Sequence, residues 1–278
     1  MYKILLKEKI SDDTILLKIH APYAAQKAQP GQFVMLQAVE NGERLPFSIF
    51  DFDSACGTIT VICKIVGFST AILDNLCEGE YMSAVAGPLG MPSTLEGLGS
   101  VCLISDNFHC SSLIPKAKKL KQYNCKTDVI LSIEESEKIF FNKEFDSLSA
   151  NIFFTNKENI LSKFEELQKN EKYDAVFVCG SIELMRKICE LTKNKTKTVV
   201  SLNTIMLDGT GICGGCRVYI DGKQKFACID GPEFDGHKVN FAGIETRMNA
   251  HKEFETNSYK NHKCHIRQSE NNVNLSER

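Results

Sequence analysis

No stretch of this 278-residue chain is apolar for long enough to span a bilayer, and charges interrupt the short opening run MYKILLKEKI. Neither a membrane partner nor an export signal is therefore expected. Charge of one sign is also lacking. The formal net charge is −2, which removes the usual electrostatic reason for binding nucleic acid or an anionic lipid surface. Between Ser100 and Cys179 there is no glycine, so that stretch has no residue suited to a tight turn laid against a phosphate. Cysteine, by contrast, is plentiful, with twelve in the chain. In a small secreted protein that count would announce a disulfide framework. In a chain of this size without an export signal it points to reduced thiols and a cytoplasmic protein. The 43% hydrophobic and 24% charged content is that of an ordinary soluble globular protein, long enough for two domains and a small appendage.

Three regions follow one another. Residues 1–97 read as short strands, among them YKILLKEK, TILLKIH, FVMLQAV, TITVICKIV and YMSAVAG, separated by turn signals such as Pro30-Gly31 and Asn41-Gly42. Closely spaced strands without a long helical pattern predict a small antiparallel barrel. Residues 98–200 alternate apolar strands (VCLIS, DVILSI, NIFF, DAVFVC, KTVVSL) with helical segments, the pattern of a parallel sheet covered on both faces. In the helix starting near Ser111, Leu113, Ile114, Ala117 and Leu120 share one face, and Lys116, Lys118, Lys119 and Lys121 are expected to point to solvent. Cys102 and Cys179 lie in apolar runs and read as small buried hydrophobes. Residues 201–240 are rich in glycine and cysteine, and such a segment needs a metal to hold it together. Residues 241–278 read as a helix and a polar tail.

The third region carries DGTGICGGCRVYIDGKQKFAC, Asp208 to Cys228. Cys213 and Cys216 share one glycine-rich loop, and a hairpin turning at Asp221-Gly222 brings Cys228 back to them. Three converging thiolates suit zinc or an iron–sulfur centre. A metal-free Cys-x-x-Cys is the bland alternative, and a thioredoxin-like redox pair fits poorly because no helix opens at the motif. A zinc ribbon would normally bring a second Cys-x-x-Cys or paired histidines, and His237 alone does not supply them. The ferredoxin spacing Cys-x4-Cys-x2-Cys, stepped back from Cys213, lands on Asp208. Asp208 is then either a carboxylate ligand in place of the fourth thiolate or part of a plain Asp-Gly turn.

PGQFV (30–34), RLPFSI (44–49), VGFST (66–70) and AGPLG (86–90) occur in an order that resembles the ferredoxin–NADP reductase superfamily. The resemblance implies an FAD site. Arg44 would offer its planar fork to the pyrophosphate. Leu45, Pro46, Phe47, Ser48 and Ile49 would lie along the flavin, and Ile62, Cys63 and Lys64 would form the strand passing it. Gly67, Ser69 and Thr70 would be small phosphate donors. With SLNTIMLDGTGICGGCRV and FACIDGPEFDGH, the chain resembles electron-transfer subunits of dihydroorotate dehydrogenase B. It is more similar still to small subunits of NADH-dependent ferredoxin:NADP oxidoreductase (sulfide dehydrogenase).

That likeness implies a β plus α/β protein in four parts. These are an N-terminal antiparallel FAD-binding β-barrel (1–97), a Rossmann-like parallel-sheet domain (98–200), a small [2Fe–2S] subdomain (201–240) and a C-terminal helix and tail (241–278). It implies that Asp208, Cys213, Cys216 and Cys228 ligate the cluster. It also implies an oxidoreductase that passes electrons between FAD and the cluster, to or from a larger flavin and iron–sulfur subunit, with ferredoxin as a further candidate partner. Two alternatives stand beside this: the electron-transfer subunit of a dihydroorotate dehydrogenase, and a non-catalytic assembly or regulatory subunit.

One departure stands out. The family follows its first α/β strand with a turn of the GGG-x-G-x-AP kind, whereas here VCLIS runs into DNFHCSSLIP. NAD(P) binding is therefore expected to be lost or greatly weakened.

Overall fold

The computed structural model describes residues 2–106, 108–148 and 150–250. The polar tail expected within 241–278 lies outside them. Eight strands form the first region: β1 (Tyr2–Ser11), β2 (Thr14–His20), β3 (Phe33–Gln37), β4 (Arg44–Ser48), β5 (Asp51–Asp53), β6 (Thr58–Lys64), β7 (Tyr81–Met82) and β8 (Ala84–Leu89). They make two antiparallel sheets, β5-β6-β2-β1-β7 and β4-β3-β8. Alternation along β2 and β6 sends Leu17, Ile19, Ile59, Val61 and Cys63 into the space between the sheets, where Val34, Leu36 and Ile49 meet them. Two short helices, α1 (Pro22–Lys27) and α2 (Phe68–Asn75), were not signalled by the strand pattern.

The second region is a parallel sheet with β9 (Ser100–Ser105), β10 (Lys126–Leu131), β11 (Asn151–Phe154), β12 (Ala175–Cys179) and β13 (Lys197–Ser201). Its order is β11-β10-β9-β12-β13. Each strand divides its side chains between the two faces. Val101 and Leu103 pack with Leu113, Ala117 and Leu120 of the segment ending in α3 (Ile114–Gln122), and with Phe141 and Phe145 of α4 (Glu135–Asp146). Cys102 and Ile104 pack with Phe164 of α5 (Ile160–Asn170) and Met185 and Ile188 of α6 (Ile182–Thr192). Both faces are therefore covered, as near-continuous apolar strands require.

The third region holds the hairpin β14 (Arg217–Ile220) and β15 (Lys223–Phe226), then α7 (Ala227–Asp230), β16 (Glu233–Asp235) and α8 (Phe241–Asn249). The hairpin turns at Asp221 and Gly222, both at positive φ, +51° and +71°, which is what a two-residue hairpin turn demands. β16 joins the parallel sheet antiparallel to β13, so this segment is sewn into the edge of the α/β domain. Cys216, Val218, Ala227, Cys228 and Phe234 share one core with Phe33 and Met35 of the barrel. All three parts of the protein meet there.

Candidate functional site

A cavity of about 210 Å³ opens where the three parts meet. The barrel contributes Leu45 to Ile49, Ile62, Lys64 and Thr70, and the α/β domain contributes Phe108, His109, Ser111, Ser112, Lys116 and Cys179. The third wall is Leu202, Asn203, Met206 and Pro232. Eight of the twelve residues expected to hold FAD thus face one cleft.

The other four lie elsewhere. Cys63 points into the barrel core, fully buried, because β6 alternates and Ile62 and Lys64 take the cleft side. Its thiol is pushed up to about 12 by burial, with Asp74 adding to the shift. Arg44 is exposed at the start of β4. The Ser69 hydroxyl donates to the Glu43 carboxylate, and the Gly67 amide donates to Thr70 Oγ1 at 3.0 Å. Thr70 therefore caps α2 as well as facing the cleft.

Lys64 lies among carboxylates, 2.6 Å from Glu134, 3.5 Å from Asp13 and 3.6 Å from Glu137. Burial pulls its pKa down, but these partners outweigh it and hold the ammonium above its ordinary value. Its Nζ sits 5.9 Å from the centre of the Phe108 ring.

Lys116 corrects an expectation. It is 1% exposed, forms an ion pair with Glu233 at 2.9 Å and donates to the Ser112 carbonyl at 2.8 Å. Three residues after Leu113 and four before Leu120, it lies on the buried stripe of the helix, not on the solvated one. Lys118 does reach outward, 2.9 Å from Asp51. Ser111, Ser112, Leu202, Met206 and Pro232 carried no sequence signal as cleft residues, since they come together only through the packing of three separate segments.

Beyond Met206 the chain enters the cysteine loop. The Asp208 carboxylate accepts the Thr210 amide at 2.9 Å and the Cys213 amide at 3.0 Å, and the Thr210 and Cys213 N–H groups hold its pKa below the ordinary carboxylate value. Cys216 and Cys228 are buried with their sulfurs 3.1 Å apart. Burial, and then the neighbouring Cys216 thiol, push the Cys228 pKa upward. Cys213 is exposed. The four candidate ligands thus lie in two neighbouring sets, Asp208 bonded to the Cys213 amide and Cys216 beside Cys228. Among the described residues no three His, Cys, Asp or Glu side chains gather around one point as a single metal ion requires.

The loop is cradled by its surroundings. Gly209 has φ +76°, and a β-carbon there would lie 2.7 Å from Leu89 Cδ1 and 2.8 Å from Met35 Cγ, so only glycine lets the loop lie on the barrel. Arg247 of α8 donates to the Gly215 carbonyl at 2.8 Å and holds the loop from the other side. His237 lies outside the cluster, its Nε2 3.1 Å from Thr192 Oγ1. One carboxylate and three thiols, which ionise on binding metal, on a glycine-rich loop suit a binuclear iron–sulfur centre, which takes two protein ligands per iron.

Comparison with known proteins bears on both halves of the site. The profile of an oxidoreductase FAD-binding domain matches residues 2–93, and that of the iron–sulfur cluster binding domain of dihydroorotate dehydrogenase B matches residues 203–240. A Thermotoga maritima dihydroorotate dehydrogenase B (NAD(+)) electron transfer subunit homolog is 34% identical over 265 residues, which cover 92% of this chain and 94% of that protein. The chain belongs to the family of dihydroorotate dehydrogenase B electron-transfer subunits and their homologues. An uncharacterized Clostridium beijerinckii protein in the adh 3′ region is also 34% identical, over 87% of each chain. The family's fold is shared with the solved structure of an NADH-dependent reduced ferredoxin-NADP oxidoreductase, described for flavin-based electron bifurcation. That structure has a TM-score of 0.86 at 33% identity, covering 94% of this chain and 97% of that one. As a member of this family the chain is an electron-transfer oxidoreductase subunit whose cofactors are FAD and an iron–sulfur cluster. No helix among the described residues is long and apolar enough to cross a membrane.

Proposed function

We propose that this subunit relays electrons between an FAD in the three-walled cleft and a [2Fe–2S] cluster held by Asp208, Cys213, Cys216 and Cys228. It would do so in the cytoplasm, in complex with a larger flavin and iron–sulfur subunit. The observation that carries this reading is continuity. The segment from Leu202 to Met206 is a wall of the cleft, and two residues further on it supplies Asp208. FAD, when bound, accepts an electron pair and releases electrons singly, which joins two-electron to one-electron chemistry.

The chain's own residues would do the rest. Pro46 and its neighbours present extended backbone on the barrel wall, and Lys64 places a cation at the cleft rim. The apolar side chains of Ile62, Phe108 and Met206 keep water from the interior. Cys216 and Cys228 are buried, Asp208 is half-buried and Cys213 is exposed, so these four residues would hold a cluster with Cys213 as its most solvent-accessible ligand, the side from which a partner would exchange electrons.

A visible spectrum of the purified protein tests this first. Flavin bands with a [2Fe–2S] shoulder, both bleached by dithionite, are expected, whereas a colourless protein or one with zinc and no iron refutes the assignment. Co-purification of the native complex then identifies the partner. A dihydroorotate dehydrogenase catalytic subunit would favour the reading suggested by the Thermotoga maritima relative. A larger iron–sulfur flavoprotein would favour that suggested by the ferredoxin-NADP oxidoreductase structure, and ferredoxin would then be the next partner to try.

A further inference from the structure

The parallel sheet grows outward from β9 to β10 and β11 on one side, then restarts with β12 and β13 on the other. In such sheets the ligand crevice lies beyond the carboxyl ends of the two strands where the order reverses. Here those strands are β9 and β12, and the residues just beyond them are Asp106 and Gly180-Ser181. They are bonded to each other. Asp106 Oδ1 accepts the Ser181 amide at 2.8 Å, and Oδ2 accepts the Ser181 hydroxyl. Gly180 has φ +139°, and a β-carbon on it would collide with Asp106 Oδ1. Ser181 is also the N-cap of α6, its Oγ accepting the Leu184 amide at 3.2 Å. The positive end of that helix, where a phosphate would be stabilised, therefore already carries a carboxylate that is 5% exposed.

Phe108 and His109 border the same crevice. Phe108 stacks on His109 with ring centres 4.2 Å apart. His109 Nε2 lies 2.9 Å from Asn203 Nδ2 of the third wall, and the Cys179 thiol donates to the His109 carbonyl at 3.2 Å. Phe108, His109, Cys179 and Gly180 also line the cleft, so Asp106 and His109 stand where the crevice adjoins it, and three segments hold His109 in place.

We propose that Asp106 is a built-in plug that holds the position of a dinucleotide's pyrophosphate, with His109 filling the space beside it. The subunit then takes neither NADH nor NADPH, and its reducing equivalents arrive as electrons from a redox protein instead of as hydride. This rests on the FAD reading only in that the flavin is the acceptor. A flavin spectrum recorded before each titration separates failure of that reading from failure of the plug.

The test is a titration of the FAD- and cluster-loaded full chain with NADH and NADPH, followed by reduced-nicotinamide fluorescence and flavin bleaching. Wild type should show no saturable binding up to ~1 mM. Asp106→Gly/His109→Gly should bind at least tenfold more tightly than that limit. Asp106→Asn keeps the shape but removes the charge and should fall between the two. If Asp106→Gly does not fold, Asp106→Asn and His109→Gly carry the comparison. Micromolar binding by wild type overturns the proposal. So does the absence of any gain in variants that retain FAD and the wild-type unfolding midpoint.

Discussion

Asp208 is the residue on which the cluster assignment turns. Its carboxylate is already oriented by the Thr210 and Cys213 amides, so it is an anion in place before any iron arrives, and a harder donor than a thiolate. Asp208→Cys should retain a [2Fe–2S] centre with a shifted potential. Asp208→Ala should lose iron more readily, by more than the roughly 10–100-fold that follows removal of a mere supporting hydrogen bond. Iron content and EPR decide it, and an alanine variant with unaltered iron and signal rejects the ligand. His109 makes a separate claim at this scale. Burial pushes its pKa down to about 4, against the opposing pull of Asp106. Its unfolded value is near 6.5, so between these values the unfolded chain binds more protons. Stability should therefore fall as pH drops from about 6.5 to 4, by on the order of 2 kcal/mol. Urea midpoints across that window should show the slope in wild type, and His109→Gln should flatten it.

At the scale of elements, regular patterns were legible and their meetings were not. β2 and β11 occupy the segments TILLKIH and NIFF residue for residue, because an apolar run bounded by turn residues leaves little choice of register. The β14–β15 hairpin follows from Asp221-Gly222 for the same local reason. α4 escaped notice because its charged face dominates the run ESEKIFFNKEFD and only Glu137, Phe141 and Phe145 are buried. β16 was invisible because Glu-Phe-Asp is too short to read as a strand, and its pairing with β13 is non-local. The same non-locality hid the role of Lys116, since nothing near it in sequence announces Glu233. That pair ties α3 to β16, with both side chains almost wholly buried. Lys116→Met would leave the Glu233 charge unpaired, which costs about 3–5 kcal/mol. Lys116→Met/Glu233→Met should recover most of the loss in chemical denaturation. Equal stability of the single variant and wild type would show that the pair carries no such weight.

For the whole molecule, the consequence of this architecture is that its two cofactor sites are not independent. Leu202, Met206 and Pro232 belong to the segment that carries the proposed cluster ligands yet form a wall of the cleft proposed for FAD. The loop between them is held by Gly209 against Met35 and Leu89, by Arg247 and by whatever joins the two sets of candidate ligands. A metal centre supplies folding free energy to the segment that binds it. Stripping the cluster anaerobically with a chelator should therefore slacken the cleft wall and weaken FAD binding about tenfold, or ~1.4 kcal/mol. Linkage requires the converse, so bound FAD should slow iron loss by a comparable thermodynamic factor. Fluorescence titration of FAD into cluster-loaded and cluster-stripped protein measures the first, and iron release with and without FAD the second. An unchanged FAD affinity would mean that pairing of β13 with β16 holds the wall without the cluster. In that case the two sites share a segment without sharing energy.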